Sequence, residues 1–261
     1  MSQFLASLPL IVSAFLIVVL PTALAMCGPV LVRRRYSLER LTTNNEIAGF
    51  KFATVGVIYA VLIAFAVIIV WERFSDAEHA VVEEAGAAAT MYRLTAGEEP
   101  DLQSVRGALS NYLSTALSED WPQMATGHGS RGANRALNGV YAATLHLAQG
   151  NSRPPAVVIE VFNQLDRITQ ARRNRLHLAQ GIVPRMLWSV LLTGGLLTVG
   201  FTFFFGTRNL GAQVLMTGIL ALIVFMGLFV IVTIDHPFTG PVHVRGQPLQ
   251  DVLEDFAQPG S

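Results

Sequence analysis

The chain has 261 residues, of which 52% are hydrophobic and 14% are charged, and its mean hydropathy is +0.47. Ordinary soluble domains carry about a quarter charged residues, so this composition excludes one and points to a membrane as the solvent. The 18 Lys and Arg balance the 18 Asp and Glu, which excludes broad attraction to nucleic acid or to a strongly anionic partner.

The N-terminal apolar run lacks the basic segment that a signal peptide needs. Met26 stands before Cys27 where a lipoprotein signal has a small residue, so residues 8–26 are read as a retained helix bent by Pro21. Cys27, the single cysteine, has no disulfide partner in the chain and is expected as a small buried hydrophobe. Three more stretches, 52–71, 183–205 and 214–234, are long and apolar enough to cross a hydrocarbon core, which takes about 20 residues. Trp71 and Trp188 sit near span ends, where aromatic belts form, and Arg185 can snorkel to the interface.

Between the second and third spans the chain reads as helix throughout. Ser75 and Glu78 form a capping box that opens a run through Tyr92, one able to continue the second membrane helix outward. Leu102, Val105, Leu109, Tyr112, Leu113, Ala116 and Leu117 recur at helical spacing, as do Leu137, Val140, Thr144 and Leu147. Pro154 and Pro155 open a further helix whose stripe is Val158, Val161, Phe162, Leu165 and Ile168. Nothing alternates at period two, so no sheet is expected. The expected fold is therefore all-α, with four transmembrane helices, two plus two, flanking a helical extramembrane domain. The segments are 1–71 for the first pair, 72–181 for the helical domain, 182–235 for the second pair and 236–261 for a tail.

The GHGSRG stretch matches G-x-G-x-x-G at Gly127, Gly129 and Gly132, but a dinucleotide site needs a strand before it. Here a helix through Trp121, closed by Pro122, precedes it, so an interhelical loop is expected. His79 and Glu83 share a helical face, yet two ligands make no metal site, and a solvated face is the expectation. No catalytic constellation or cofactor motif appears, which argues against an enzyme. Arg172, Arg173 and Arg175 fit an anion or a lipid headgroup, because guanidinium forks match phosphate oxygens; interfacial anchoring explains them equally well. Orientation is contested. Arg33, Arg34, Arg35 and Arg40 place the loop after the first span in the cytoplasm and the helical domain outside, while Arg172, Arg173, Arg175 and Arg185 argue the reverse; the initial helix usually dominates, so the domain at 72–181 is expected outside the cytoplasm.

The second span carries two faces. Gly56, Ala60 and Ala64 repeat small residues every fourth position, which lets another helix come close in lipid. Thr54, Ile58, Val61, Phe65, Ile68 and Glu72 form a stripe that is polar at its ends and apolar between. In an oligomer this stripe suits a pore with a dewetting constriction at Phe65; contact with lipid is the other reading. Asn44, Asn45 and Glu46 precede this span and Asp235 follows the fourth, where polar groups satisfy helix ends.

NNEIAGFKFATVGVIYAVLIAF from Asn44, DWP at Asp120, RRNRL at Arg172, PRMLW at Pro184 and DHPFTG at Asp235 together resemble the bestrophin-like family of bacterial and plant membrane proteins. The likeness runs from Asn44 to Gly240; Asn44 replaces a commoner His and Lys51 interrupts an apolar position. The resemblance implies a relation to bestrophins, pentameric anion channels whose second span lines the pore and whose large domain is cytoplasmic. Asp235, Pro237 and Phe238 resemble their turn after the fourth helix, but Thr239, Gly240 and Pro241 follow in place of calcium-clasping acids, so no metal carries over. The expected function is a homo-oligomeric ion channel or channel-like protein, anion-conducting if it follows the bestrophins. It would sit in a cell membrane, the inner one in a bacterium, with lipids, inorganic ions and copies of itself as partners. The alternative is a non-conducting scaffold or sensor whose helical domain binds a partner.

Overall fold

The fold comes from a computed structural model describing residues 9–43, 45–150, 153–181 and 183–257. Asn44, Ile182 and the side chain of Arg185 lie outside the described atoms. Every regular element among the described residues is helical, and four helices are long and apolar enough to cross a membrane.

The first, α1, spans Leu10–Arg35. It runs past Met26 because Pro29 to Val32 keep it apolar, and it ends with Arg33, Arg34 and Arg35 in its last turn, where cations suit the negative end of the helix. A π-helical turn at Phe15–Val19 stands just ahead of Pro21. Proline lacks an N–H and its ring crowds the carbonyl four residues back, here Ile17; the wider turn absorbs both defects. The same device recurs before Pro122, where the π turn Ala116–Asp120 contains the corresponding Ser118. Pro122 therefore does not close its helix, which continues to Met124. Cys27 is exposed, not buried as expected.

After the short α2 (Leu38–Thr42), α3 runs unbroken from Asn45 to Leu94, 50 residues. Ser75 and Glu78 lie inside it and start no new helix. The chain divides into two compact units with the boundary inside α3: residues 1–72 with 182–235, and residues 73–181 with 236–261.

The first unit holds α1, α2, the first half of α3, α8 (Arg185–Phe201, prolonged by a 3-10 turn at Thr202–Phe204) and α9 (Leu210–Ile234). Its core gathers Ala25, Tyr59, Val199, Ala221 and Val224, with Ile63, Phe203 and Phe225 against it. Association in lipid depends on close approach at small residues. A Cβ at Gly194 would sit 2.7 Å from the Tyr59 ring, and one at Gly218 would sit 2.9 Å from the Met26 sulfur.

The second unit contains the rest of α3, α4 (Pro100–Thr115), α5 (Trp121–Met124), α6 (Arg131–Gln149), α7 (Pro155–Leu178) and α10 (Gln247–Ala257). Leu102, Val105, Leu109, Leu113, Val140, Leu147, Val161, Leu165 and Ile168 are fully buried. Each such aliphatic side chain contributes about 1.5–3 kcal/mol through removal from water. Ser130 starts α6 by accepting the N–H groups of Gly132 at 2.8 Å and Ala133 at 3.3 Å. The end of α10 is tied down by Phe256, stacked 3.6 Å from the Tyr92 ring, with Arg106 over that ring at 3.9 Å.

Candidate functional site

The first half of α3 presents three faces. Tyr59, Ile63, Ala66 and Val70 turn inward; Tyr59, Ala66 and Val70 are buried, and the Tyr59 hydroxyl donates to the Leu191 carbonyl at 2.8 Å. At about 100° per residue, Thr54, Ile58, Val61, Phe65, Ile68 and Glu72 lie on roughly the opposite side. All six are exposed, Phe65 by 61%. Gly56, Ala60 and Ala64 occupy the flank between these faces, about 120° from the stripe. A Cβ at Gly56 would meet nothing within 4 Å, so no helix of the same chain approaches there. Close approach inside the chain falls instead at Gly194 and Gly195 of α8, both against Tyr59.

At the start of α3, Glu46 is exposed in the first turn, and the Asn45 amide pairs with the backbone of Gly206. At the end of α9, the buried Asp235 accepts the Val183 N–H at 2.8 Å, which holds the approach to α8. Pro237 and Phe238 are buried in the second unit. The Pro237 carbonyl accepts the Val244 N–H at 2.7 Å, and the Phe238 ring meets Trp121 edge-on at 6.1 Å. Among the described residues no group of three His, Cys, Asp or Glu is placed to hold a metal ion.

The arginines at the end of α7 differ from expectation. Arg175 is fully buried: its Nε donates to Glu84 Oε2 at 2.8 Å, its Nη2 to Glu84 Oε1 at 3.1 Å, and its guanidinium lies 4.6 Å from the Trp121 ring. Arg172 pairs with Asp120 at 2.8 Å and with Asn134 at 2.5 Å. The Tyr112 hydroxyl donates to Glu84 at 2.5 Å. Burial, the largest influence on Arg175, would lower its pKa, but the charge and hydrogen bond of Glu84 together with Tyr112 and Asp120 outweigh it and hold the guanidinium protonated. Burial first, then the Glu84 charge, pushes the Tyr112 hydroxyl well above its ordinary value, so it stays a neutral donor. Arg172 and Arg175 are thus spent on carboxylates inside the unit and do not present an anion or lipid-headgroup site. Arg173 alone of the three is exposed; it lines a cleft of about 400 Å³ with His128 and His177 beside the Gly127 to Gly129 loop. His79 and Glu83 line a second cleft of about 330 Å³ with Arg73, Asp76 and His177.

The buried pairs were absent from the sequence expectations, though the spacing signalled them. Val161, Leu165 and Ile168 extend at the same period to Arg172 and Arg175, and Leu109, Leu113 and Ala116 extend to Asp120.

A model of the bestrophin-like domain matches residues 19–249. The chain belongs to the bestrophin-like family. Two crystal structures of a bacterial bestrophin homolog from Klebsiella pneumoniae, a tyrosine-to-alanine and an isoleucine-to-threonine variant, each superpose with a TM-score of 0.74 at 14% identity. Each comparison covers 92% of this chain and 99% of that one. A leucine-to-threonine variant of the homolog gives 0.72 at 13% identity, over 91% of this chain and 97% of that one. At this identity the likeness establishes the fold. No curated protein sequence matches significantly. This bestrophin-like protein is thus a membrane protein, helical throughout its described regular elements and built on that fold.

Proposed function

We propose that this bestrophin-like protein assembles from several copies, as a pentamer if it follows the bestrophins, and passes inorganic ions along the Thr54 to Glu72 face of α3. The observation that carries the reading is the exposure of that whole face on the side of α3 turned away from its own chain's core. The stripe has polar ends at Thr54 and Glu72 and four apolar positions between them, the pattern of a constriction that gates by dewetting. The unused small face at Gly56, Ala60 and Ala64 supplies a contact for the neighbouring copy. The choice of anions rests on the family relation, and the Glu72 charge at one end of the stripe weighs against it. The bacterial origin of the structural neighbours supports a bacterial inner membrane as its place.

The test is conductance of the assembled protein in planar bilayers under a chloride gradient. Phe65→Ala should raise unitary conductance severalfold, and Phe65→Asp should hold the neck wetted and abolish closures. Bilayers that stay silent for the wild type and both variants, with assembly verified, would leave the scaffold or sensor reading standing.

A further inference from the structure

We propose that the turn at Phe205, Gly206 and Thr207 is the anchor of the first unit, and that Asn45 is the positioning residue fixing the start of α3 to it. Helix ends leave backbone carbonyls without intrahelical partners. Here three consecutive carbonyls each accept a side-chain donor from a different helix. Gln213 of α9 takes Phe205, Asn45 of α3 takes Gly206 at 2.6 Å, and Arg33 of α1 takes Thr207 at 2.6 Å. The turn follows α8, so all four long helices meet at one stretch of backbone.

The Asn45 contact is the most demanding of the three. Its amide nitrogen donates to the Gly206 carbonyl while its amide oxygen accepts the Gly206 N–H at 3.0 Å, a closed two-bond pair that needs a donor and an acceptor on one short side chain. Aspartate keeps the acceptor and loses the donor; leucine loses both. The other partner is equally constrained, because a Cβ at Gly206 would lie 2.8 Å from the Leu41 backbone carbon and the Thr42 nitrogen of α2. Two turns further along α3, Phe52 stacks on Phe201 and meets Phe205 edge-on, both at 5.7 Å, so a polar clamp and an aromatic one hold the same end.

The consequence concerns regulation and rests on the pore reading above. Thr54, two residues beyond Phe52, belongs to the anchored end, and the Tyr59 hydroxyl on the Leu191 carbonyl ties the next turn, so opening and closing must arise from Val61 onward, beyond both hydrogen-bonded ties.

The experiment places a nitroxide at Ile47→Cys, an exposed position, in full-length protein carrying Cys27→Ser. Its spectrum should be restricted in the otherwise unsubstituted protein and mobile in both Asn45→Leu and Gly206→Ala. Combining the two changes should add no mobility beyond the stronger single change, since both break one pair. Asn45→Asp, which retains one bond, supplies a milder variant should Asn45→Leu fail to assemble. Restricted spectra in Asn45→Asp and Gly206→Ala, or additive mobility in the double variant, would overturn the anchor. If bilayers stay silent while the nitroxide responds as expected, the anchor stands and the pore falls. With wild-type current and an unresponsive nitroxide, the pore stands and the anchor falls.

Discussion

Removing Glu84 tests how the second unit is held. The Glu84 carboxylate carries two bonds from Arg175 and one from Tyr112, and both it and Arg175 are fully buried. Deleting one partner of a buried pair costs about 3–5 kcal/mol, because the other charge remains without solvent. Arg175 would keep Asp120 at 3.5 Å and the Trp121 ring, which places that loss toward the lower end. The stranded Tyr112 hydroxyl adds about 1 kcal/mol. Glu84→Leu is therefore expected to destabilise the unit by about 4 kcal/mol, which at 2–4 °C per kcal/mol lowers its melting midpoint by roughly 8–16 °C. Unfolding would be followed by the fluorescence of Trp121, with Trp71 and Trp188 replaced by Phe. The double change Glu84→Leu with Arg175→Met removes both charges and leaves Asp120 paired with Arg172 at 2.8 Å, so it should recover most of the loss. A double variant as unstable as Glu84→Leu, or a single variant within about 1 kcal/mol of wild type, would refute the idea of an orphaned charge.

Gly56→Leu should leave helical content unchanged, because nothing within the chain lies within 4 Å of a Cβ there, yet should shift the purified protein to smaller species on size exclusion. An unchanged assembly would give that flank to lipid. Tyr112 has a pKa raised well above the ordinary 10.0, so the unfolded chain releases this proton first as pH climbs. Stability from this group is complete below about pH 10 and declines above it; Tyr112→Phe should flatten the alkaline limb of a melting curve. A cysteine replacing His128, an exposed position in the loop before α6, should react with impermeant maleimide in intact cells, as the arginines after the first span argue. Protection in intact cells with reaction after lysis would reverse the orientation argued from Arg33, Arg34 and Arg35.

Most helices were legible because each had a single clear period. Val105, Leu109 and Leu113, then Leu137, Val140 and Leu147, mark the faces that are buried. The boundaries were less so, for two physical reasons. Local cap signals lost to continuity: Ser75 and Glu78 spell a helix start, but the hydrogen-bond ladder of α3 was already running, and starting a new helix would break bonds to gain one cap. Pro122 spells a helix stop, but a π turn upstream lets the helix carry on there, as another does at Pro21. For the candidate site, charge misled where periodicity would have guided. As a run of charge, Arg172, Arg173 and Arg175 fit a headgroup site and interfacial anchoring equally; extending the stripe by position puts Arg172 and Arg175 in the core, where carboxylates at Glu84 and Asp120 make them tolerable. On α3 the situation is reversed. Position and composition agree on an outward face from Thr54 to Glu72, yet what covers that face lies in other copies or in lipid, and neither is encoded in the period of one helix.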